Sequence, residues 1–398
     1  MKILRCLALS LVLVMCAVPS GCTGDLVRPA ARPDHRAHTS CREPQVREQC
    51  STIDVPDGRY ALLRATPPTT ETVLIDLGGP GLSVLSGQFG LERLAAEQRE
   101  TLGGRNALVV EEPWVTAQVP DGCAAALDDF GGGLLGATPG STDLGPCFIS
   151  AGGEQPRFGF DPVTYRNLVA RIEDVEGVEV TGSIAVSFGI ARVSYLGNRS
   201  WTDSVLWKPY PLGEPLDAML SARAETIRGW LDAIGVEPST MTFEQASALV
   251  ALSYRGEHGF KELAGRLIEA PSDNLDRLFR ETWSLYGDHR VSPAFLAYLE
   301  ETCNLGGDAG TPGESGGDAI AQVFAVTRRA CGAVPRWGKW AGPQALASEG
   351  WCFVVSDGDA VSPPAMAQEA FGREPTITLG ANEAHIDTGG LGLCAGSW

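Results

Sequence analysis

The chain has 398 residues, 44% of them apolar, and a formal charge of −18. That much apolar sequence supports a sizeable folded core, and the length suits a core with a large insertion rather than one simple domain. An acidic chain without a basic stripe repels phosphate backbones, so no nucleic-acid partner is expected.

The first element is a leader. Lys2 and Arg5 precede an apolar run, Cys6 to Val18, shorter than the ~20 residues a membrane-spanning helix needs. Residues 1–21 therefore read as a signal peptide. Pro19-Ser20-Gly21-Cys22 is similar to a bacterial lipobox. Cys22 would carry lipid, giving a membrane partner through that anchor and a place on the outer face of the cytoplasmic membrane; secretion is the alternative. Of the 11 cysteines, Cys6 and Cys16 leave with the signal and Cys22 is lipidated. Eight remain: Cys41, Cys50, Cys123, Cys147, Cys303, Cys331, Cys352 and Cys394. An even number in an exported chain predicts disulfides. There is no C-x-x-C pair or Cys/His cluster, so neither a metal nor another cofactor is expected.

Residues 22–40 are polar and read as a tether. Ser51 to Val55 and Tyr60 to Ala65 flank Pro56-Asp57-Gly58, a hairpin signal. Strand-like runs follow at Thr72 to Leu77, Ala107 to Val110, Gly182 to Val186 and Ser204 to Trp207, then again at Cys352 to Val355 and Thr376 to Leu379. Between the last two groups, Leu216, Leu220, Ile227, Leu231 and Ile234 recur at helical spacing, and Phe243 to Tyr254, Phe260 to Ile268 and Leu275 to Tyr286 continue it. The pattern predicts an α/β fold with a mostly parallel sheet covered on both faces. The core would run over 41–213 and 346–398, with a helical cap inserted over 214–345.

The literal G-x-S-x-G match, Gly313 to Gly317, places Ser315 after Gly-Gly-Asp-Ala-Gly-Thr-Pro. No buried strand can precede it, as a nucleophile elbow requires, so it reads as a loop. Ser183 to Gly189 is the better match: an apolar run ends at Ser187, and Ile190 to Leu196 can start a helix. Leu77-Gly78-Gly79-Pro80-Gly81 follows an earlier strand, where glycine lets a backbone N–H face a substrate oxygen. Gly79 and the residue after the serine, Phe188, are the expected oxyanion donors. Of the five histidines, only His385 follows a late strand. Before it, Val354 to Pro363 carries Asp357 and Asp359, either of which could orient the imidazole. Ser, then Asp, then His is the chain order of the serine triad on an α/β sheet.

In these segments the chain resembles the secreted tripeptidyl aminopeptidases of actinobacteria, relatives of the prolyl aminopeptidases among the α/β-hydrolases. The likeness covers roughly residues 50 to 398. Leu77 to Gly81 fits that family's Gly-Gly-Pro-Gly segment, Ala185 to Gly189 its elbow, and Cys303 and Cys331, with Trp337 and Trp340 following, its cysteine positions. Gly358 to Pro363 fits its D-x-V-[T/S]-P segment, which selects Asp359 over Asp357, and Ala384-His385 stands where it has Gly-His. The resemblance implies an α/β-hydrolase with Ser187, Asp359 and His385 as triad, releasing short peptides or amino acids from peptide N-termini. A carboxylesterase or lipase with the same machinery is the alternative, and a non-catalytic envelope binding protein a third reading. One segment departs: Glu112-Pro113-Trp114-Val115-Thr116-Ala117 replaces the family's D-P-R-G-x-G. Chain proximity suggests the pairs Cys41–Cys50, Cys123–Cys147, Cys303–Cys331 and Cys352–Cys394.

Overall fold

The computed structural model describes residues 39–40, 50–55, 58–81, 85, 102–135, 143–149, 156–197, 199, 201–269, 293–305, 317–337, 351–385 and 391–394. The expected leader at residues 1–21, Cys22, Cys41, Ser315 and Trp340 lie outside them. Nine strands form one sheet in the order β1-β2-β3-β5-β4-β6-β7-β8-β9. They are β1 (Thr39–Ser40), β2 (Cys50–Val55), β3 (Gly58–Leu63), β4 (Glu71–Asp76), β5 (Asn106–Glu111), β6 (Glu179–Val186), β7 (Asp203–Trp207), β8 (Trp351–Ser356) and β9 (Ile377–Leu379). The first three are antiparallel neighbours, and β3 runs antiparallel to β5. From β5 through β4 to β9 every pairing is parallel.

Parallel strands covered on both faces need apolar side chains in both directions, which is why these runs are continuous rather than alternating. In β6 and β8, Ile184, Val186, Cys352 and Val354 share one core with Val73, Ile75 and Val205. Their neighbours Ala185, Phe353 and Val355 join the opposite core with Leu74, Leu108 and Leu206.

Helix α1 (Cys123–Leu135) was not expected, because it contains Gly131, Gly132 and Gly133. Burial of Leu127, Phe130 and Leu134 along one face overrides that poor propensity. Helix α2 (Pro162–Glu176) starts at Asp161, whose side chain accepts from the Val163 and Thr164 amides, and stops at left-handed Gly177. Its Tyr165, Leu168, Val169 and Ile172 cover the sheet beside Leu74 and Ala185. Helix α3 (Gly189–Tyr195) follows β6 directly.

Every described element between β7 and β8 is helical: α4 (Leu216–Asp232), α5 (Phe243–Leu252), α6 (Gly256–Glu269), α7 (Pro293–Leu305) and α8 (Ala319–Ala330), with short 3₁₀ turns. They pack on one another through Leu220, Ile227, Leu249, Phe260, Phe295 and Phe324. Helix α9 (Pro364–Phe371) precedes β9.

Among the described residues three disulfides are formed: Cys123–Cys147, Cys303–Cys331 and Cys352–Cys394, with Cα atoms 4.4, 5.5 and 5.8 Å apart. Cys41 of the expected Cys41–Cys50 pair lies outside the described residues. Among those residues, no helix is long and apolar enough to cross a membrane.

Candidate active site

Strand β6 ends at Val186, and the next residue turns sharply. Ser187 has φ +49°, the left-handed region that a side chain enters at a cost. Its N–H donates to the Trp207 carbonyl at 2.9 Å, and its own carbonyl accepts from the Tyr210 amide at 3.0 Å. The β7 end thus holds the strained residue on both sides. A Cβ on Gly189 would lie 2.6 Å from the Asp76 carbonyl oxygen, so only glycine fits there. Ala185 is fully buried and fits where many such turns carry glycine.

The loops after β8 and β9 deliver the other two groups. The Ser187 Oγ lies 2.7 Å from His385 Nε2. His385 Nδ1 lies 2.7 Å from Asp359 Oδ2. With the carboxylate ionised, Nδ1 carries the proton and Nε2 is free to accept from the serine hydroxyl. The other oxygen, Asp359 Oδ1, accepts from the Val361 and Ser362 amides at 2.9 and 3.0 Å. Asp359 is 1% exposed. Asp357 is exposed and its amide bonds the Leu379 carbonyl, so it does not meet the imidazole. The helical block supports the histidine from above, where the His385 N–H donates to the Tyr254 carbonyl at 3.0 Å. Lys208 Nζ also donates to the carbonyl of Ala384, just before the histidine.

Gly78, Gly79 and Gly81 all have positive φ. A Cβ on Gly78 would sit 2.4 Å from the Val186 carbonyl oxygen, so this turn can lie against the elbow only as glycine. Gly79 and Phe188 border the same pocket as Ser187.

Beneath this turn lies a group of residues the sequence reading missed. The guanidinium of Arg192, 3% exposed, meets both Asp76 oxygens at 2.7 and 2.8 Å, Glu112 at 2.9 Å and Glu301 at 2.9 Å. It also donates to the Gly78 carbonyl at 2.6 Å. The second Glu112 oxygen accepts from the Gly81 amide at 2.6 Å. Glu112 therefore holds the Gly81 end of the glycine turn directly and the Gly78 end through Arg192. A trace was present in sequence: a cation inside the apolar run Ile190 to Val193 must find buried carboxylates. Which carboxylates was not legible, because Glu301 comes from α7, more than 100 positions away. Burial pushes the Glu112 carboxyl well above its usual range, with the Arg192 charge opposing and Glu301 and Asp76 adding to the rise. Burial likewise lifts Glu301 to about 7, against the pull of Arg192.

The pocket over Ser187 is walled by α4, through Leu216, Met219, Leu220 and Arg223, and by Tyr254, Tyr298 and Thr302 from elsewhere in the helical block. The block thus covers the C-terminal ends of β4 and β6, where an α/β sheet binds its ligands.

No family model matches the sequence, and no curated protein matches it. Solved structures with a similar layout include a proline iminopeptidase-related protein from Thermus thermophilus, 14% identical over 85% of this chain and 90% of that one, TM-score 0.37. Proline iminopeptidase from Mycobacterium smegmatis is 13% identical over 85% and 91%, TM-score 0.38. Esterase E22 is 12% identical over 87% and 92%, TM-score 0.41. Likenesses this remote say nothing of chemistry. The molecule's own features are more specific: a parallel sheet with a single crossed pair, β5 before β4, a strained serine at the strand–helix turn after β6, and loops after β8 and β9 converging on it. With that topology, the chain has the α/β-hydrolase fold.

Proposed function

We propose that the protein is an exported serine hydrolase working through an acyl-enzyme. The observation that carries this reading is the unbroken Asp359–His385–Ser187 hydrogen-bond chain, 2.7 Å at each link. Ser187 Oγ attacks the substrate carbonyl carbon while its proton passes to His385 Nε2. Asp359 stabilises the imidazolium that results. The carbonyl oxygen becomes an anion held by the Gly79 and Phe188 amides. Collapse breaks the bond to the leaving amine or alcohol, which takes the proton from His385. Water, deprotonated by the same histidine, then releases the acid and restores Ser187. The leader and the three disulfides support export. Cys22 would tether the enzyme to the membrane through lipid.

The peptide-directed reading draws support from the resemblance of the glycine turn, the elbow and the Asp359 segment to tripeptidyl aminopeptidases. Ester hydrolysis is the second reading, favoured by the apolar α4 wall beside the serine. Kinetics on peptide amides and on acyl esters of several lengths separate the two. The shared chemistry is tested by a fluorophosphonate probe. Ser187 should be labelled, and Ser187→Ala should lose both labelling and on the order of 10⁶ in turnover. Full activity in Ser187→Ala would overturn the proposal.

A further inference from the structure

The geometry points to a carboxylate on the substrate, bound by Arg223 in the pocket above Ser187; this rests on the serine-hydrolase reading. Arg223 is 7% exposed. A guanidinium keeps its charge at any physiological pH, and a buried charge without an opposite partner is costly. Arg192, also buried, is met by three carboxylates. Arg223 is met by none among the described residues. Its Nε and Nη2 donate to the Ser253 hydroxyl at 3.0 and 2.7 Å, and Nη2 also reaches the Val250 carbonyl at 2.9 Å. Its faces lie near the Tyr254 ring, 4.6 Å from the centroid, and the Phe324 ring, 5.7 Å away. Every one of these partners is neutral.

These contacts fix the side chain by its Nε–Nη2 edge and leave Nη1 without a hydrogen bond among the described residues. Arg223 lines the same pocket as Ser187, Gly79 and Phe188. None of the described lining residues is acidic. Beside Arg223 a substrate ammonium would be repelled, whereas a carboxylate would pair with the guanidinium. The spacing describes the rest of the substrate. Leu216, Met219, Leu220 and Arg223 fall on one face of α4, so an apolar wall leads along the helix to the cation. The ligand this fits is a short apolar acyl or leaving group ending in a carboxylate.

Paired substrates test this. In one arm, the p-nitrophenyl monoester of glutarate is compared with the same ester whose free carboxylate is methylated. In the other, N-acetyl-Ala-Ala is compared with its C-terminal amide. The first places the charge on the acyl side and the second on the leaving side. Wild-type protein should prefer the carboxylate in at least one arm, by on the order of 10²-fold in kcat/KM. Arg223→Gln should bring that ratio close to one, and Arg223→Lys should retain part of it. Because the readout is a ratio, a general loss of active protein cancels. Equal rates within both pairs for the wild type overturn the inference, as does an undiminished ratio in Arg223→Gln. Fluorophosphonate labelling of Ser187 separates the two levels. Labelling without a carboxylate preference sinks this inference alone; no labelling and no hydrolysis sinks the serine-hydrolase reading with it.

Discussion

Two aspartates stand two positions apart after β8, and the backbone assigns them different work. The 356–362 turn puts Asp359 inward with two amides on one oxygen and an imidazole on the other, and leaves Asp357 in solvent. Asp359→Asn would keep the shape but could hold the imidazole in the wrong tautomer, and kcat should fall on the order of 10⁴-fold. Asp357→Asn should fall within a factor of two of wild type. Steady-state rates on any turned-over ester decide it, and an inverted pair of results would reassign the acid. The sequence left this choice open until a resemblance settled it. What made the rest of the triad legible was scarcity: five histidines, with one after the last strands. Arg223 was not legible, since nothing in a helical run says which residue faces a serine on another element.

At the scale of elements, the strands were readable because burial on both faces leaves uninterrupted apolar runs. Each expected run from Thr72 to Leu379 lies within or overlaps an observed strand. Helix α1 was hidden by its glycines, and α2 by a charged outer face that diluted its pattern. The Arg192 cluster was hidden for a different reason: it joins β4, the β5 end, α3 and α7, and only the folded topology brings those together. Its three carboxylates outnumber its one cation, so the fold favours keeping a proton among them. Glu301 should hold one up to about pH 7, whereas an unfolded glutamate releases it near 4.5. A raised folded value means the contribution to stability is full below about pH 4.5 and fades as the pH climbs towards 7. Glu301→Gln mimics the protonated form. The wild type should therefore lose stability relative to this variant between about pH 5 and pH 8, as read by urea midpoints. A gap that stays constant over that range would mean that Glu301 is ionised throughout.

At the scale of the whole molecule, one covalent tie spans the catalytic segments. The Cys352–Cys394 bridge closes a stretch that contains both Asp359 and His385. Loops of this length typically yield roughly 2–4 kcal/mol from a disulfide. Replacing both cysteines by alanine should lower the unfolding free energy by about that amount. It should also lower kcat before the fold is lost, because the acid and base segments then keep, apart from the chain itself, only non-covalent ties such as those from Ser356 Oγ to the Gly380 and Glu383 carbonyls. Circular dichroism and activity measured along one denaturant series test the order; coincident loss of the two would refute it.

Ser187 and His385 touch across 198 positions of chain. Strands β8 and β9, whose following loops carry Asp359 and His385, come after the whole helical block in the chain. A contact of that sequence separation incurs its loop-closure entropy late, once local pieces have formed. Hydrolytic power should then be the last native property to return when the unfolded, disulfide-intact chain is diluted into buffer. Helical signal and burial of tryptophan should recover first, and turnover should follow with the slowest phase. The protein would in this way remain inert while it is still incompletely assembled.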